Sequence, residues 1–472
     1  MAMFRPNILW PCLSIAISGC DTPLTQSWDD PLYVQILQDY SDTDIGAGKE
    51  PSSRLIAPAD TPTPSRLESL SLEDAIAIAL ANHPRLRAAA YDIRAAQGRE
   101  TQARLGANPS FGVEAEGLGA SAGDGGESSY VLSQEFITAG KLEKAGRVAQ
   151  AERFQSQAEF LAVKSDFIAE VKQAFYGVLA GERRVEARQQ LADVAGRLLA
   201  SVNAQVEAGA AIEPDRLRAQ VAYEQAGLEL RAAESELDVA RRALTVSLGF
   251  DSPVTLPIVG DLEAIVELPQ RDEVLKRVLA RNNHLEAARR GIERARRAHE
   301  LAKARAWPNL TAFAGPRFSD INGETTMDVG VAMAIPLFDR NQGAIAEALA
   351  ERLKAGTILG QTQLQLIKAT SEAWSAYDTA RAAVTKYREV LLPMSRRTLD
   401  LTEQVYRSGK FDYLRLLDAQ QLFVQTNIVY VDNLLRLQQA AALLEALMQA
   451  ELNEFNTDDT SVKDDNAQEV SP

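Results

Sequence analysis

The side chains that most often carry out chemistry are few in this chain and stand far apart. Its three histidines are His83, His284 and His299, and their spacing does not match a metal-binding motif. The sequence has no phosphate-binding loop, no nucleophile elbow and no pair of carboxylates at catalytic spacing. We therefore expect a protein that is not an enzyme and that needs no cofactor.

The two cysteines both lie within the first twenty residues, so the body of the protein has no thiol chemistry. A basic residue at Arg5, an apolar run from Ile8 to Ile17 and small residues before Cys20 resemble a bacterial lipoprotein signal, with Cys20 acylated as the new N-terminus. An ordinary signal peptide or a buried start is the alternative. Asp21 is a residue that can retain a lipoprotein in the inner membrane of some bacteria. No later stretch reaches the roughly 20 apolar residues of a transmembrane helix.

The rest of the chain is internally duplicated, with corresponding positions 199 or 200 residues apart. A period of this length is too long for a solenoid repeat and predicts two copies of one supersecondary unit. Four pairs of positions carry the repeat: Leu86 with Leu285, Pro109 with Pro308, Gly209 with Gly409, and Gln220 with Gln420.

Each half contains a strand hairpin, predicted at about residues 111–137 and 310–336. In the second, Met327, Val329 and Val331 alternate with small or polar residues, which is a strand period. One apolar face over about ten residues fits a tilted strand that crosses an outer membrane, although a soluble edge hairpin would look similar.

Long helices follow the strands. Lys141 to Val206 contains no proline, and a helix of about 65 residues would extend roughly 100 Å. Apolar residues three and four apart predict narrow coiled-coil seams, and Gly209 and Gly409 permit a chain reversal, so each half should contain a long antiparallel helical hairpin. A capping box of Ser71 and Asp74 predicts the start of the first helix, which we expect to continue past a kink at Pro84 to about Gly106.

These patterns divide the chain into six parts. They are a signal peptide (1–20), an extended linker (21–65), a first repeat (66–250, with its helical hairpin at 141–250), a connector (251–270), a second repeat (271–450, with its helical hairpin at 341–450) and a disordered acidic tail (451–472).

Charge and strand number limit the partners. The formal net charge is −15 and the pI is about 4.9, which disfavours a nucleic-acid partner because such a partner calls for a basic face. Four strands cannot close a membrane barrel, since the smallest use about eight, and an open sheet edge is not tolerated in lipid. A membrane-inserted chain must therefore oligomerise.

Five short motifs stand out along residues 66 to 450. They are Leu72–Ala75 with Ala81–Pro84, Asn108-Pro109, Ile335–Asp339, Tyr406–Lys410 and Leu416–Gln420. Together these motifs resemble the TolC family of outer-membrane efflux channels. The Leu392-Pro393 step and the last motif are similar to the heavy-metal branch of that family, that is, to CzcC-like and CusC-like subunits.

The resemblance implies a mainly α fold with a small β part, forming a homotrimer with a twelve-stranded transmembrane β-barrel continuous with a periplasmic α-helical barrel. It implies a lipid-anchored protein of the outer membrane that extends into the periplasm, where the turns at Gly209 and Gly409 dock a periplasmic adaptor joined to an inner-membrane proton-driven pump. The expected cargo is heavy-metal cations of the cobalt, zinc and cadmium or the copper type, passing without a dedicated binding site. Drug or organic-compound efflux is the alternative, and a periplasmic coiled-coil adaptor or structural lipoprotein is the second.

The resemblance also implies gate residues at the helix turns. By motif position, Asp215 and Asp418 are candidate pore-ring acids and Tyr406 is a candidate latch. Phe411 stands where some family members have a basic latch residue, and Arg415 stands at an acidic position, so a pair of Arg415 with Asp418 or Asp215 would hold the gate. A first-turn acid is the alternative for Asp215, and a solvated mid-helix position is the alternative for Asp418.

Overall fold

The computed structural model of this protein describes residues 68–116, 126–252, 256–319, 323–407 and 413–449. Cys20, Asp21, the linker at 21–65, the turn that contains Gly409 and Phe411, and the tail at 451–472 lie outside the described residues. The predictions made for them stay predictions.

The described chain is mainly helical with a small β part, as expected. No helix among the described residues combines the length and the apolar character needed to cross a membrane. In chain order, the elements are α1 (Leu72–Asn82), α2 (Pro84–Ala103), β1 (Ser110–Glu116), β2 (Glu127–Phe136), α3 (Lys141–Glu207), α4 (Glu213–Ser247), α5 (Arg271–Arg281), α6 (Asn283–Arg305), β3 (Leu310–Ser319), β4 (Glu324–Met333), α7 (Gln342–Lys386), a π-helical turn (Tyr387–Leu391), α8 (Leu392–Arg407) and α9 (Tyr413–Met448).

The first helix begins at the predicted capping box. The backbone N–H of Asp74 donates to Ser71 Oγ at 3.1 Å, and the backbone N–H of Ser71 donates to the Asp74 carboxylate at 3.4 Å. The helix does not continue through Pro84, as we expected it to, because His83 is extended (φ −72°, ψ 127°) and separates α1 from α2. Proline disfavours the helical region for the residue before it, which explains the break.

The starts of α2 and α6 abut the ends of α4 and α9. Asn282 caps α6 by accepting a hydrogen bond from the backbone N–H of His284 at 2.9 Å, and its side-chain amide donates to the carbonyl of Leu447 in the last turn of α9 at 3.0 Å. Gly249, just past α4, has a φ of +84° and lies so close to Asn82 that an added Cβ would be 3.1 Å from its carbonyl. The two halves therefore repeat one helix-to-helix junction.

The helices and strands follow the same lateral order. The sheet is antiparallel throughout with the order β1-β2-β3-β4. Among the helices, α3 packs against α2 and α6, and α6 packs against α7. Each strand is joined to the helix that holds the same place in this lateral order: α2 leads into β1, β2 into α3, α6 into β3 and β4 into α7. The sheet therefore continues directly into a helical layer. Farther from the sheet, α3 packs against α4 and α9.

The central strand β3 contains a proline, which is uncommon away from a sheet edge. Pro316 has no N–H to donate. Accordingly, two residue pairs between β2 and β3 are absent from the hydrogen-bonded ladder, namely Tyr130 with Pro316 and Val131 with Gly315. The strands approach closely at this point, because a Cβ at Gly315 would overlap the Tyr130 carbonyl oxygen.

Two apolar clusters lie where the helix ends meet. One includes Phe167 and Phe175 of α3, and the other includes Tyr377 of α7 and Leu434 of α9. Part of the segment predicted as a connector is packed between these elements, since the Tyr377 hydroxyl donates to the Val266 carbonyl at 2.8 Å. The side-chain amide of Gln438 also donates to the carbonyls of Leu262 and Ala264, at 3.0 and 2.7 Å.

The two long helices differ. Helix α3 has 67 residues without interruption. In the second half, the π-helical turn at Tyr387–Leu391 separates α7 from α8. Pro393 lacks an N–H and its ring would clash with the carbonyl four residues earlier, so the wider turn accommodates the proline. The predicted long hairpin of the second half is therefore interrupted in its first arm.

Candidate functional site

The sheet presents two different faces. The register places most of the large apolar side chains together on one face, where most of them are exposed. Val131 and Phe313 are exceptions and lie on the other face. The exposed apolar face comprises Phe111 and Val113 of β1, Tyr130, Leu132 and Phe136 of β2, Phe318 of β3, and Met327, Val329, Val331 and Met333 of β4. A water-exposed sheet would not carry such a surface uncovered.

The opposite face of the sheet carries all the charge. Every charged residue of the four described strands lies there, namely Arg317 and the six carboxylates Glu114, Glu116, Glu127, Glu135, Glu324 and Asp328. The Arg317 guanidinium bridges the neighbouring strands, with a nitrogen 2.8 Å from an Asp328 oxygen and another 3.2 Å from a Glu127 oxygen. The polar face therefore has five more acidic than basic side chains.

Both sides of the structure end in open edges. Within the described residues, neither β1 nor β4 pairs along its outer edge. Helix α7, next to β4, exposes a row of apolar side chains that includes Leu353 and Leu364. The edges are therefore suited to contact another chain.

The turn from α3 to α4 is built as the sequence predicts. Gly209 has a φ of +73°, a conformation that glycine adopts without strain. Asp215 lies in the first turn of α4, where its backbone N–H donates to the Ile212 carbonyl at 3.0 Å and its carboxylate lies 3.5 Å from the Ile212 nitrogen. This is the geometry of a first-turn acid, and a role for Asp215 in a pore ring stays a prediction.

The other candidate gate residues lie near the same end of the structure. Asp418 and Arg415 are exposed on α9. Tyr406 of α8 is partly buried against an apolar cluster that includes Val202 of α3 and Leu417 of α9. Tyr406 thus bridges the two halves, while the expected pair of Arg415 with an acid stays a prediction.

The three histidines do not come together. Among the described residues, no group of three or more histidine, cysteine or acidic side chains could hold a metal ion. The His83 ring packs against that of Phe167 in a tilted arrangement, with ring centroids 4.4 Å apart, and burial lowers the pKa of His83. His284 has a partner that the sequence does not reveal, since its Nε2 lies 3.1 Å from the carboxylate of Asp166, 118 residues away. This hydrogen bond raises the pKa of His284 above its ordinary value of 6.5, against the opposing effect of burial.

The His284 contact predicts a small pH dependence. A raised pKa in the folded state stabilises the protein fully below about pH 6.5, and this contribution is lost as the pH rises through the raised pKa. We expect His284→Gln to lower the melting temperature in acid only, by at most about 2 °C, since both side chains are 42% exposed. Thermal unfolding followed by circular dichroism at about pH 5.5 and about pH 8 measures it.

His83 supplies the control, because its lowered pKa has the opposite sign. Its contribution is present above about pH 6.5 and is lost as the pH falls, so His83→Gln should lower stability less in acid than in base. An equal loss at both pH values in His284→Gln would contradict the assigned hydrogen bond.

A sheet with one exposed apolar face and one charged face continues into a layer of long helices, and such alternating strands are typical of the class of proteins found in outer membranes. The sequence profile of the family "Outer membrane efflux protein" matches residues 75–250 and again residues 274–449. The chain therefore belongs to the outer membrane efflux protein family, and its resemblance to TolC-like channels is confirmed. Because the profile matches twice, at an offset of 199 residues, the match also agrees with the internal duplication.

Individual relatives agree with the family. The cobalt-zinc-cadmium resistance protein CzcC of Cupriavidus metallidurans is 28% identical over 379 residues, which covers 80% of this chain and 90% of CzcC. Protein CyaE of Bordetella pertussis is 28% identical over 352 residues, covering 68% of this chain and 72% of CyaE. A solved structure of CusC, described as a transmembrane channel, superimposes with a TM-score of 0.68 at 17% identity, covering 82% of this chain and 94% of that one.

Proposed function

We propose that this chain is the outer-membrane channel subunit of a tripartite efflux system that exports heavy-metal cations from the periplasm. The observation that carries the proposal is the division of the sheet into an exposed apolar face and a charged face that holds every charged strand residue. Strands with alternating apolar and polar side chains are how outer-membrane barrels face lipid on the outside and water in the lumen.

The open edges support a trimer. Pairing the free edge of β1 with the free edge of β4 in the next copy would continue the antiparallel order, and three copies of four strands give twelve, enough to close a barrel. Closure removes every sheet edge from lipid. The edge helices α2 and α7 would meet across the same boundary, so that the helical layer closes into a periplasmic barrel.

The far ends of the helical hairpins fit the contact with the pump assembly. The turn at Gly209, and the corresponding turn that contains Gly409, would dock a periplasmic adaptor joined to an inner-membrane proton-driven pump. Acylation of Cys20 would add a lipid anchor to the outer membrane. A periplasmic coiled-coil adaptor is a weaker alternative, since it gives no role to the exposed apolar face of the sheet.

The assignment to cations rests on two supports. The name of CzcC, which this chain matches over 90% of its length, is that of a cobalt, zinc and cadmium resistance protein. Five surplus carboxylates on the polar face of the sheet would attract cations into a lumen, since a narrow passage lined by one sign of charge concentrates counter-ions.

Deletion of the gene in the native bacterium tests the proposal, with membrane fractionation and size measurement of the detergent-extracted protein. We expect a trimer in the outer membrane, and sensitivity to cobalt, zinc, cadmium or copper that the full-length gene restores. The same trimer with sensitivity to drugs alone would replace the metal cargo with organic compounds. A monomer confined to the inner membrane would contradict the channel itself.

The gate acids give a separate prediction. In a trimer, Asp418 would form a ring of three carboxylates, and Asp418→Asn would remove three charges from it. Reversal potentials in planar bilayers under a salt gradient should show a cation preference reduced by about two-fold or more, because such rings concentrate cations. Asp238→Asn, which changes an exposed carboxylate on α4, is the control. Equal reversal potentials in all three proteins would place Asp418 on a solvated face outside the pore.

A further inference from the structure

The end of the sheet nearest the helices carries a second kind of surface, which we term the collar. It consists of residues 302–309, where α6 passes into β3, and residues 333–341, where β4 passes into α7. Apart from Met333, the last residue of β4, the collar lies beyond the strands and outside the helical coiled-coil seams. None of the functions proposed above uses its other residues.

The collar exposes large apolar side chains to solvent. Phe338 is 91% exposed and Trp307 is 68% exposed, and Ile335 and Leu337 are exposed as well. Met333 belongs both to the collar and to the apolar face of the sheet, where it pairs with Leu310. The apolar surface of the sheet therefore continues onto the collar without a gap.

The collar also exposes basic side chains. Lys303 and Arg305 lie in the last turn of α6 and Arg340 precedes α7, and within the described residues none of their side chains forms an ion pair. The one acidic residue of the collar, Asp339, accepts a hydrogen bond from the backbone N–H of Asn341 at 2.8 Å. The excess of basic charge contrasts with the net charge of −15 of the whole chain.

Hydrogen bonds hold the two segments of the collar together. The side-chain amide of Asn341 donates to the carbonyl of Ala302, in the last turn of α6, at 2.7 Å. Asn309 joins the collar to the start of α3, since the backbone N–H of Thr138 lies 3.4 Å from its Oδ1 and the Lys141 ammonium donates to the same oxygen. Asn309 also donates to the carboxylate of Glu135 in β2 at 2.7 Å. These hydrogen bonds hold together the two segments that carry the exposed apolar and basic side chains.

The basic residues of the collar contribute to the pKa shifts of two neighbouring side chains. Burial lowers the pKa of Lys141, and the positive charge of Arg305 lowers it further while Glu135 opposes the change. Burial also lowers the pKa of His299, and Lys303 adds to this effect.

We propose that the collar binds anionic phospholipid headgroups at the periplasmic surface of the outer membrane. Aromatic side chains at membrane–water boundaries occupy the headgroup level, and exposed Lys and Arg beside them pair with lipid phosphates. The occupant is a lipid because the collar is continuous with the lipid-compatible face of the sheet and is complementary in charge to an anionic headgroup. This inference rests on the proposed membrane barrel.

Trp307 provides the measurement. In a protein with Trp10, Trp28 and Trp374 each changed to Phe, Trp307 is the single tryptophan, and its fluorescence is quenched by brominated lipid next to it. The assembled protein is reconstituted into mixed phosphatidylcholine and phosphatidylglycerol vesicles in which either one lipid or the other is brominated at the same mole fraction. We expect stronger quenching by brominated phosphatidylglycerol, because each basic residue should enrich the anionic lipid beside it by about five-fold.

A charge-removing variant and a matched control decide the outcome. Lys303→Gln/Arg305→Gln/Arg340→Gln should bring the two lipids to equal quenching. Arg231→Gln/Lys276→Gln/Lys386→Gln removes the same charge from exposed helix positions elsewhere and should leave the preference intact. Equal quenching in the unmodified single-tryptophan protein, an equal loss in the control, or no quenching by either lipid would overturn the proposal.

Ion conductance of the same vesicles separates this proposal from the proposed channel. Conducting protein without a phosphatidylglycerol preference would reject the collar inference and leave the channel intact. Protein that neither inserts nor conducts would reject the channel and the collar inference with it.

Discussion

Gly315→Ala is expected to prevent most of the protein from folding into the membrane. An added Cβ would lie 1.7 Å from the carbonyl oxygen of Tyr130 and 2.9 Å from the Cα of Val131. Both atoms belong to the backbone of β2, so no side-chain rotation can relieve the overlap and the two central strands must separate. Since the contact between β2 and β3 joins the two halves of the sheet, we expect a cost of about 3 kcal/mol or more, the upper end for overpacking.

Two other glycines on the same polar face make a graded control. A Cβ at Gly112 would meet nothing closer than 4.0 Å, and a Cβ at Gly330 would meet the tip of the Phe313 ring, which can rotate away. The yield of folded protein in outer membranes, read from its altered mobility on gels before and after heating, should be unchanged for Gly112→Ala, reduced for Gly330→Ala and lowest for Gly315→Ala. A normal yield for Gly315→Ala would show that β2 and β3 are not packed so closely.

The features predicted from the sequence are those that short stretches of chain determine. Ser71 and Asp74 are three residues apart and cap a helix by themselves, and Gly209 supplies its own turn conformation. The alternation of side chains along each strand predicts its two faces before any pairing is known. Lys141 to Glu207 forms one helix because nothing in the sequence interrupts it.

The features that were missed depend on which elements become neighbours. Neither the contact of His284 with Asp166 nor the close approach at Gly315 can be read from one segment, because each requires the order of the helices or strands across the structure. The extent of the break at His83 and the π-helical turn before Pro393 were also missed, although each proline is visible in the sequence. For the candidate gate residues, the sequence placed Tyr406 and Asp418 at one end of the predicted hairpins but could not supply their partners.

A buried ion pair fixes α9 to α3. The Lys172 ammonium lies 2.9 Å from the carboxylate of Glu445, 273 residues away, and the two side chains are 9% and 17% exposed. Tyr176, one turn further along α3, lies in the same surroundings, and burial raises its pKa. Placing two charges here costs desolvation, which their mutual attraction and hydrogen bonding offset only while both are present.

Lys172→Met should therefore destabilise the protein far more than the loss of a contact would suggest. It leaves the Glu445 carboxylate desolvated without its cation, and we expect a cost of about 3 kcal/mol in the free energy of unfolding, measured by denaturant titration of the helical signal in detergent. The double variant Lys172→Met/Glu445→Leu removes both charges and should recover all but about 1 kcal/mol.

The pair of Arg242 with Asp238 serves as a control, because it is an ion pair whose side chains are exposed. Its side chains are 73% and 60% exposed, and Arg242→Met should cost less than about 0.5 kcal/mol. If the double variant at Lys172 and Glu445 were as unstable as Lys172→Met alone, the pair would stabilise the fold directly. Recovery in the double variant would instead show that the pair adds little net stability, because an apolar pair of similar volume would then give a comparable free energy of unfolding.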